Sequence, residues 1–382
     1  MSTPMTIKIC HLISCLDVGG AEISLLRLLS AIDRKRFECS AVSLIEIGRV
    51  GERMKELGIP VESLRLKRGA VSAAGLFRLL RRLRRDRPGI LMTWLYHSDL
   101  LGLMAGRLAG VPNIVWNLRA SNVDMSRYRR LSGWTLRLCS RLSPLPTAVV
   151  ANSESGRAFH AKIGYRPRSW TIIRNGVDHC LFRPDPAARE QMRKSLGIGP
   201  GDVVIGLVAR LDPMKDHDNF MAAARAVAQA EKSARFVLAG KGVSAENGRL
   251  MPYVAEPPLA GRVLMLDERH DIPELLPAFD IACSSSFSEA FPNTMAEAMA
   301  CAVPCVATDA GDSAEIIGET GIVVPPADPG ALAKGLLRAI ALGPSGRRDL
   351  GRAARERIIL NFGLERFVGE YEALFLRLAE AR

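Results

Sequence analysis

Aromatic residues are scarce in this chain: Phe, Trp and Tyr make up 5% of its 382 residues. A groove for single-stranded nucleic acid is built on stacking rings, so this scarcity argues against one. No sequence motif of a nucleic-acid-binding module stands in for the missing rings, and no nucleic-acid partner is expected. No apolar run approaches the roughly 18–20 residues that cross a bilayer as a helix. The N-terminus, "MSTPMTIKIC", has no charged region, apolar core and small-residue cleavage site in series. A secretory signal is therefore not expected, and the cytoplasm is the expected compartment. The eight cysteines include no C-x-x-C pair, and "CAVPC" (Cys301 to Cys305) has no second Cys or His pair that would complete a zinc site. Reduced, buried thiols are expected.

What is present is apolar mass and positive charge. Hydrophobic residues make up 48% of the chain, and the length suits two domains of roughly 150–200 residues, each with its own core. The net charge is +12, unevenly spread. Residues 1–170 hold 28 Lys/Arg and 12 Asp/Glu, a net of +16, which leaves −4 for the remainder. A basic first half suits nucleic acid, anionic lipid or phosphorylated substrates.

Strand-like and helix-like segments alternate. "TIKICHLIS" (Thr6–Ser14) reads as a buried strand and "AEISLLRLLSAI" (Ala21–Ile32) as a helix, with further strands around Ala41, Ile90, Ile114 and Val149. The series restarts at Asp202–Ala209, followed by a helix from about His217 to Ala230 and strands at Ala234–Ala239, Arg262–Leu266, Asp280–Ser285, Pro304–Thr308 and Gly321–Pro325. Apolar strands alternating with helices predict parallel sheets covered on both faces. The expected fold class is α/β: two doubly wound, Rossmann-like domains facing across a cleft, with ligands at the carboxyl ends of the strands. The expected division is residues 1–180 and 181–363, with a final helix at about 364–382 crossing back to the first domain.

Four stretches carry candidate chemistry. In "CLDVGGAEISLLRL", Gly19 and Gly20 sit at a strand-to-helix turn, where a backbone can approach an anion. The pattern is neither a Walker loop nor G-x-G-x-x-G, and a plain turn remains open. In "VARLDPMKDHDNF", Arg210 and Lys215 leave a strand end and can neutralise two phosphates. Asp216 and Asp218 there read as helix caps rather than metal ligands, and no metal site is expected. In "SEAFPNTMAEAMA", Pro292 keeps Phe291 out of the helix, and Asn293 is the expected cap of a helix from about Thr294. Glu289 then lies in a loop and Glu297 in the first turns, so the two carboxylates can accept hydroxyls from different parts of one ligand. In "MTWLYHSDLLG", His97 follows a strand end, where a structural role and a functional one both remain open.

Taken in order, "GGAE", "WLYHSDLLG", "NGVD" (Asn175–Asp178), the Arg210…Lys215 pair, "DIPELLPAFDI", "EAFPNTMAE" and "DAGDSAEII" resemble the retaining nucleotide-sugar glycosyltransferases of family 4, whose fold is GT-B. "EAFPNTMAE" carries their E-x7-E motif. The resemblance implies that Gly19 and Gly20 lie against donor phosphate or sugar, that Arg210 and Lys215 hold the diphosphate, and that Glu289 holds sugar hydroxyls. It implies that the backbone of Phe291, Pro292, Asn293 and Thr294 closes on the sugar and last phosphate. It also implies that Glu297 binds ribose, that His97 meets the donor sugar and that the backbone near Arg269 meets the base. Glu289, His97, Arg210 and Lys215 are the implied catalytic set; no cofactor or metal is implied, and the nucleotide sugar, a UDP-sugar, is the donor substrate. Ala209, Asp216 and Ala290 stand where many members have glycine, which bears on donor choice.

The implied activity is sugar transfer with retention to a hydroxyl of a glycan or lipid-linked acceptor, in cell-surface polysaccharide or glycolipid synthesis. "LFRLLRRLRRDR" (Leu76–Arg87) and "SRYRRLSGWTLRLCSRL" (Ser126–Leu142), the latter with Tyr128 and Trp134, interleave arginine with apolar residues. They suggest an anionic membrane surface as a partner, with the protein peripheral on its inner face, and Arg81, Arg82, Arg84 and Arg85 as the contact; a solvated helix is the plainer reading. Two rival readings are a nucleotide-sugar epimerase or isomerase of the same fold and a non-enzymatic nucleic-acid-binding protein.

Overall fold

Strands with almost no polar face set the architecture. Residues 90–94 (ILMTW), 113–118 (NIVWNL) and 148–151 (AVVA) are buried at every position, as strands covered on both sides must be. The computed structural model describes residues 6–67, 73–119 and 130–381. In chain order the elements are β1 (Ile7–Ile13), α1 (Gly20–Ala31), β2 (Phe37–Ser43), α2 (Gly48–Glu56), β3 (Val61–Ser63), α3 (Ala73–Asp86), β4 (Ile90–Trp94), α4 (Tyr96–Ala109), β5 (Asn113–Leu118), α5 (Arg130–Leu142), β6 (Ala148–Ala151), α6 (Glu154–Lys162) and β7 (Trp170–Ile172). Then come α7 (Pro186–Ser195), β8 (Val203–Val208), α8 (His217–Ala230), β9 (Ala234–Ala239), α9 (Met251–Val254), β10 (Val263–Met265), α10 (Ile272–Leu275), β11 (Ile281–Ser284), α11 (Asn293–Ala300), β12 (Cys305–Thr308), α12 (Ser313–Ile317), β13 (Ile322–Val324), α13 (Pro329–Ala341), α14 (Gly343–Phe362) and α15 (Leu364–Glu380).

The chain forms two units, Met1–Gly176 with Leu364–Arg382, and Val177–Gly363. The first holds a sheet in the order β3-β2-β1-β4-β5-β6-β7, the second one in the order β10-β9-β8-β11-β12-β13. Every pairing in both sheets is parallel. Strand order therefore reverses between β1 and β4 in one unit and between β8 and β11 in the other. At such a switch the connections leave in opposite directions and open a crevice at the carboxyl ends.

Helix starts are written locally. Asp185 and Asp328 each precede a proline and accept the amide three residues on, at Ala188 and Ala331. The carboxylate satisfies an orphan amide, and the proline needs no donor, an arrangement that contributes about 1 kcal/mol per helix.

In the first unit, alternate residues of β1 and β4 face opposite layers. Ile9, Ile13, Met92 and Trp94 pack with α1, α2 and α15, whereas Leu12 and Leu91 pack with α3 and α4. The final helix belongs to this first layer. Its Tyr371 stacks on Trp94 with ring centroids 6.3 Å apart, and its hydroxyl accepts from Asn117 Nδ2 at 2.8 Å. Phe375 meets Phe37 edge-on, and Asn113 Nδ2 donates to Leu378 O at 3.0 Å. Full burial of such rings contributes about 2–3 kcal/mol each, which holds the last residues of the chain on its first sheet.

Candidate active site

The second unit's switch point brings Lys215 and Glu289 together. Lys215 ends a 3₁₀ turn (Pro213–Lys215) after β8, and Glu289 lies in the loop after β11. Lys215 Nζ is 2.5 Å from Glu289 Oε1, with side chains 25% and 11% exposed. Ser286 Oγ donates to the same carboxylate oxygen at 2.7 Å. The two loops are laced by their backbones: Phe287 N donates to Met214 O at 2.8 Å, and Ser285 Oγ donates to Lys215 O at 2.8 Å. The loop after β12 closes on the same place. Thr308 Oγ1 donates to Ser286 O at 2.6 Å, and Asp312 N to Ala290 O at 3.2 Å. Gly311 has φ +62°, and a Cβ there would sit 2.1 Å from Glu289 O. Only glycine lets this loop press on the backbone that carries Glu289.

Arg210 shares the loop with Lys215 but is turned to Asp212, with Nη2 3.1 Å from Oδ2, and is 64% exposed. Asp216, in a position the family often gives to glycine, has φ 47° and ψ 58°, the left-handed conformation that favours glycine and tolerates aspartate. Its carboxylate caps α8 by accepting Asn219 N at 3.2 Å, as expected from the sequence. Asp218 does not cap: its carboxylate is 2.5 Å from Arg249 Nη2, because a second acid in the first turn points away from the helix's opening amides. Gly240 explains the neighbouring Ala209, since a Cβ at Gly240 would meet Ala209 O at 2.1 Å. The glycine of this close approach is supplied from the next loop.

Asn293 is the first helical residue of α11, and Pro292 occupies the cap position with φ −75° and ψ 86°. The expected Asn293 cap is thus corrected: the cap residue is Pro292, which has no side-chain cap bond, and Asn293 is already helical. The helical ladder begins with Ala296 N donating to Pro292 O at 3.2 Å, so the amides ahead of it lie outside the ladder at a partially positive helix end. Thr294 is exposed there. The Phe291 ring meets Phe362 edge-on in the core. Glu297 is buried, one turn into α11. Arg269 follows β10, and its side chain is paired with Asp271. That ion pair lowers the pKa of Asp271, through the hydrogen bond first.

The first unit's switch point holds the other expected residues. Gly19 is the extended N-cap of α1 with Gly20 as the first helical residue, and the Glu22 carboxylate fills the space where a Gly19 Cβ would be. Across the switch, Ser14 Oγ lies 3.1 Å from Ser98 Oγ. His97 is the second residue of α4 and exposed, yet the mass around its ring lowers its pKa by desolvation, which favours neutral imidazole near pH 7. The preceding Leu95 has φ 73° and ψ 149°, a conformation costing a bulky residue about 1–3 kcal/mol. Strain of this kind, two residues before a candidate ligand contact, supports a working role for the turn. Asp99, buried two residues on, has its pKa raised by burial and is bonded to Thr93 Oγ1 at 2.5 Å.

Sequence reading missed Arg119, one residue past β5. Its guanidinium lies 4.5 Å from the Trp94 ring centroid, Nη1 donates to Asn175 Oδ1 at 2.5 Å, and burial lowers its pKa. It also missed Ser286 and Gly311; the "AGD" turn after β12 was the available signal for the latter. Among the described residues, no three His, Cys, Asp or Glu side chains are gathered as a metal site would need.

Comparison with known proteins agrees with this frame. Residues 202–341 match the family model described as "Glycosyl transferases group 1", and residues 18–180 match "Glycosyltransferase Family 4". The lipopolysaccharide core biosynthesis mannosyltransferase LpcC of Rhizobium leguminosarum bv. viciae is 32% identical over 253 residues, covering 65% of this chain and 68% of the relative. Its counterpart LpsB of Rhizobium meliloti (strain 1021) is 31% identical over 51% of this chain and 55% of the relative. A UDP-Gal:alpha-D-GlcNAc-diphosphoundecaprenol alpha-1,3-galactosyltransferase of Escherichia coli is 26% identical over 61% of each. The chain thus spans between about half and two thirds of these relatives' lengths. Among solved structures, Anabaena HepE, determined with UDP and glucose, superposes with a TM-score of 0.85 at 22% identity, over 97% of this chain and all of that one. The sucrose-phosphate synthase of Thermosynechococcus elongatus gives 0.79 at 19% identity, over 98% of this chain and all of that one. The chain belongs to glycosyltransferase family 4 and has the GT-B fold.

Proposed function

We propose that the chain transfers a sugar from a nucleoside-diphosphate sugar, a UDP-sugar, to a hydroxyl of a glycan or lipid-linked acceptor, retaining the anomeric configuration and using no metal. The observation that carries this is the Lys215–Glu289 pair at the β8/β11 switch. An ammonium and a carboxylate held against each other match the two ends of the bond to be broken. The ammonium suits the departing diphosphate and the carboxylate suits sugar hydroxyls. Arg210 adds a second cation once it leaves Asp212, and the opening amides of α11 add partial positive charge for the last phosphate. Glu297 is assigned to ribose and the backbone near Arg269 to the base. We assign the second unit as the donor domain and the first as the acceptor domain; within the first, Gly19 and Gly20 are assigned to donor phosphate or sugar and His97 to the donor sugar. The chemistry asked of the protein is orientation and electrostatic stabilisation of the leaving group.

The uridine donor is supported by the name of the Escherichia coli relative and by the UDP in the Anabaena neighbour. Cell-surface polysaccharide or lipopolysaccharide synthesis is supported by the two rhizobial relatives. The test is a donor panel of UDP- and GDP-sugars, with and without membrane lipid extract, following nucleoside-diphosphate release and the anomeric coupling of the product. Acceptor-dependent release and an unchanged anomer are expected. Conversion of the donor alone would favour an isomerase, and no turnover of any donor would defeat the reading.

A further inference from the structure

The layer formed by α3, α4 and α5 presents an outer surface that transfer chemistry does not explain. α4 packs against both α3 and α5, and all three cover one face of the first unit's sheet. Their outward stripes are therefore side by side. Five large apolar side chains stand on them in solvent: Phe77 (65% exposed), Met104 (46%), Leu108 (57%), Trp134 (68%) and Leu138 (41%). Exposed arginines lie between them: Arg78, Arg81 and Arg84 on α3, Arg107 on α4, and Arg137 and Arg141 on α5. The three helices contain two acids. Asp99 is buried, and Asp86 is engaged by Arg82 and Arg85. Nothing on these helices offsets the outward positive charge.

The structure also corrects the contact expected from the sequence. Arg82 is buried and bound to Glu62 and Asp86, so it takes no part in an outer surface. Tyr128 and the stretch 126–129 lie outside the described residues.

We propose that this three-helix face docks on an anionic lipid bilayer, with Phe77, Met104, Leu108, Trp134 and Leu138 entering the headgroup region and the arginines meeting lipid phosphates. Rings and aliphatic chains interleaved with arginine match the two layers of a bilayer surface, apolar below and anionic above. A nucleic acid would use the charge but has no partner for Met104, Leu108 and Leu138. The stripe on α4 continues to His97, seven residues before Met104 and so within about 20° of it around the helix. A lipid-borne acceptor held at this face therefore reaches the turn that carries His97. This deepens the proposed lipid-linked acceptor, while vesicle capture and sugar transfer are separate assays that can fail independently.

The test is flotation of the full chain with vesicles of phosphatidylglycerol and phosphatidylcholine, against phosphatidylcholine alone. Capture is expected with the anionic vesicles only, together with a blue shift of tryptophan emission, since Trp94 and Trp116 are buried and Trp134 is the most exposed tryptophan. Salt of about 0.5 M should release the protein. Each arginine near an anionic surface strengthens partition by roughly fivefold, so Arg81→Gln, Arg137→Gln and Arg141→Gln together should weaken it about a hundredfold. Phe77→Ser with Leu108→Ser, which keep the Trp134 reporter, should shrink the blue shift and weaken capture. An unchanged melting temperature identifies variants that remain folded, and the wild-type salt series needs no variant. Absence of capture by anionic vesicles, a triple variant floating like wild type, or capture of duplex oligonucleotide with no capture of vesicles would each overturn the proposal.

Discussion

Gly311→Ala tests how the site is held without any ligand. The glycine has φ +62°, and its Cβ would lie 2.1 Å from Glu289 O, 2.6 Å from Glu289 C and 2.9 Å from Ala290 O. Two costs arise. The left-handed conformation costs alanine about 1–2 kcal/mol, and the collision with backbone, which cannot rotate away as a side chain can, adds about 1–3 kcal/mol. Gly343→Ala in the same unit separates them, because Gly343 has φ +68° with nothing within 4 Å of its would-be Cβ. At roughly 2–4 °C per kcal/mol for a unit of this size, Gly311→Ala should melt about 4–20 °C below wild type and clearly below Gly343→Ala. The loop carrying Glu289 must move to accommodate the methyl, so transfer should fall by at least about tenfold at temperatures where the variant is folded. Differential scanning calorimetry and an initial-rate assay read the two effects. If Gly311→Ala melts with Gly343→Ala and transfers at the wild-type rate, the packing of this loop on Glu289 does not organise the site.

Other expectations follow from single contacts. Glu289→Gln keeps the shape but removes the charge facing Lys215, so a double-mutant cycle with Lys215→Met should show about 1–2 kcal/mol of coupling in chemical denaturation; zero coupling would mean the pair is not formed. Leu95→Gly should relieve backbone strain and hold or raise stability by up to about 1 kcal/mol while lowering transfer, because His97 loses its fixed approach; equal losses of both would contradict this. His11 is fully buried between Trp94 and Phe375, and burial lowers its pKa to about 3 from an ordinary 6.5. Between those values the unfolded chain binds the extra proton, so the stability His11 contributes is whole above pH 6.5 and drains away as pH falls towards 3, by about 1.4 kcal/mol per pH unit. His11→Met should flatten that part of the pH–stability curve, and an unchanged slope would show that other groups set it.

Much of the frame was legible because it is periodic. The strands at Ala234–Ala239 and Val203–Val208 and the helix at His217–Ala230 declare themselves through apolar runs and a capping aspartate. The edge strands β3 (VES) and β7 (WTI) did not, because each is three residues with a polar residue at its centre, whereas the equally short β10 (VLM) is apolar throughout. The residue types at the site were readable, but their pairing was not. Lys215 and Glu289 are 74 positions apart, and their meeting is a consequence of strand order, as is the closure of Gly311 over Glu289. The outer face of α3, α4 and α5 shows the same limit. Arginine and leucine alternate visibly on α3, yet Arg82 is buried while Met104 and Leu108 on α4 complete the surface.

The most direct test of the central claim, that the β8/β11 switch takes a nucleoside diphosphate through Lys215, is calorimetric titration of UDP into wild type and Lys215→Ala. Loss of one desolvated charge contact to phosphate removes about 3 kcal/mol. Binding to wild type is expected, with affinity about a hundredfold weaker in the variant, measured at a temperature where the variant, which loses its ion pair with Glu289, is still folded. Equal affinity in the two proteins would contradict it.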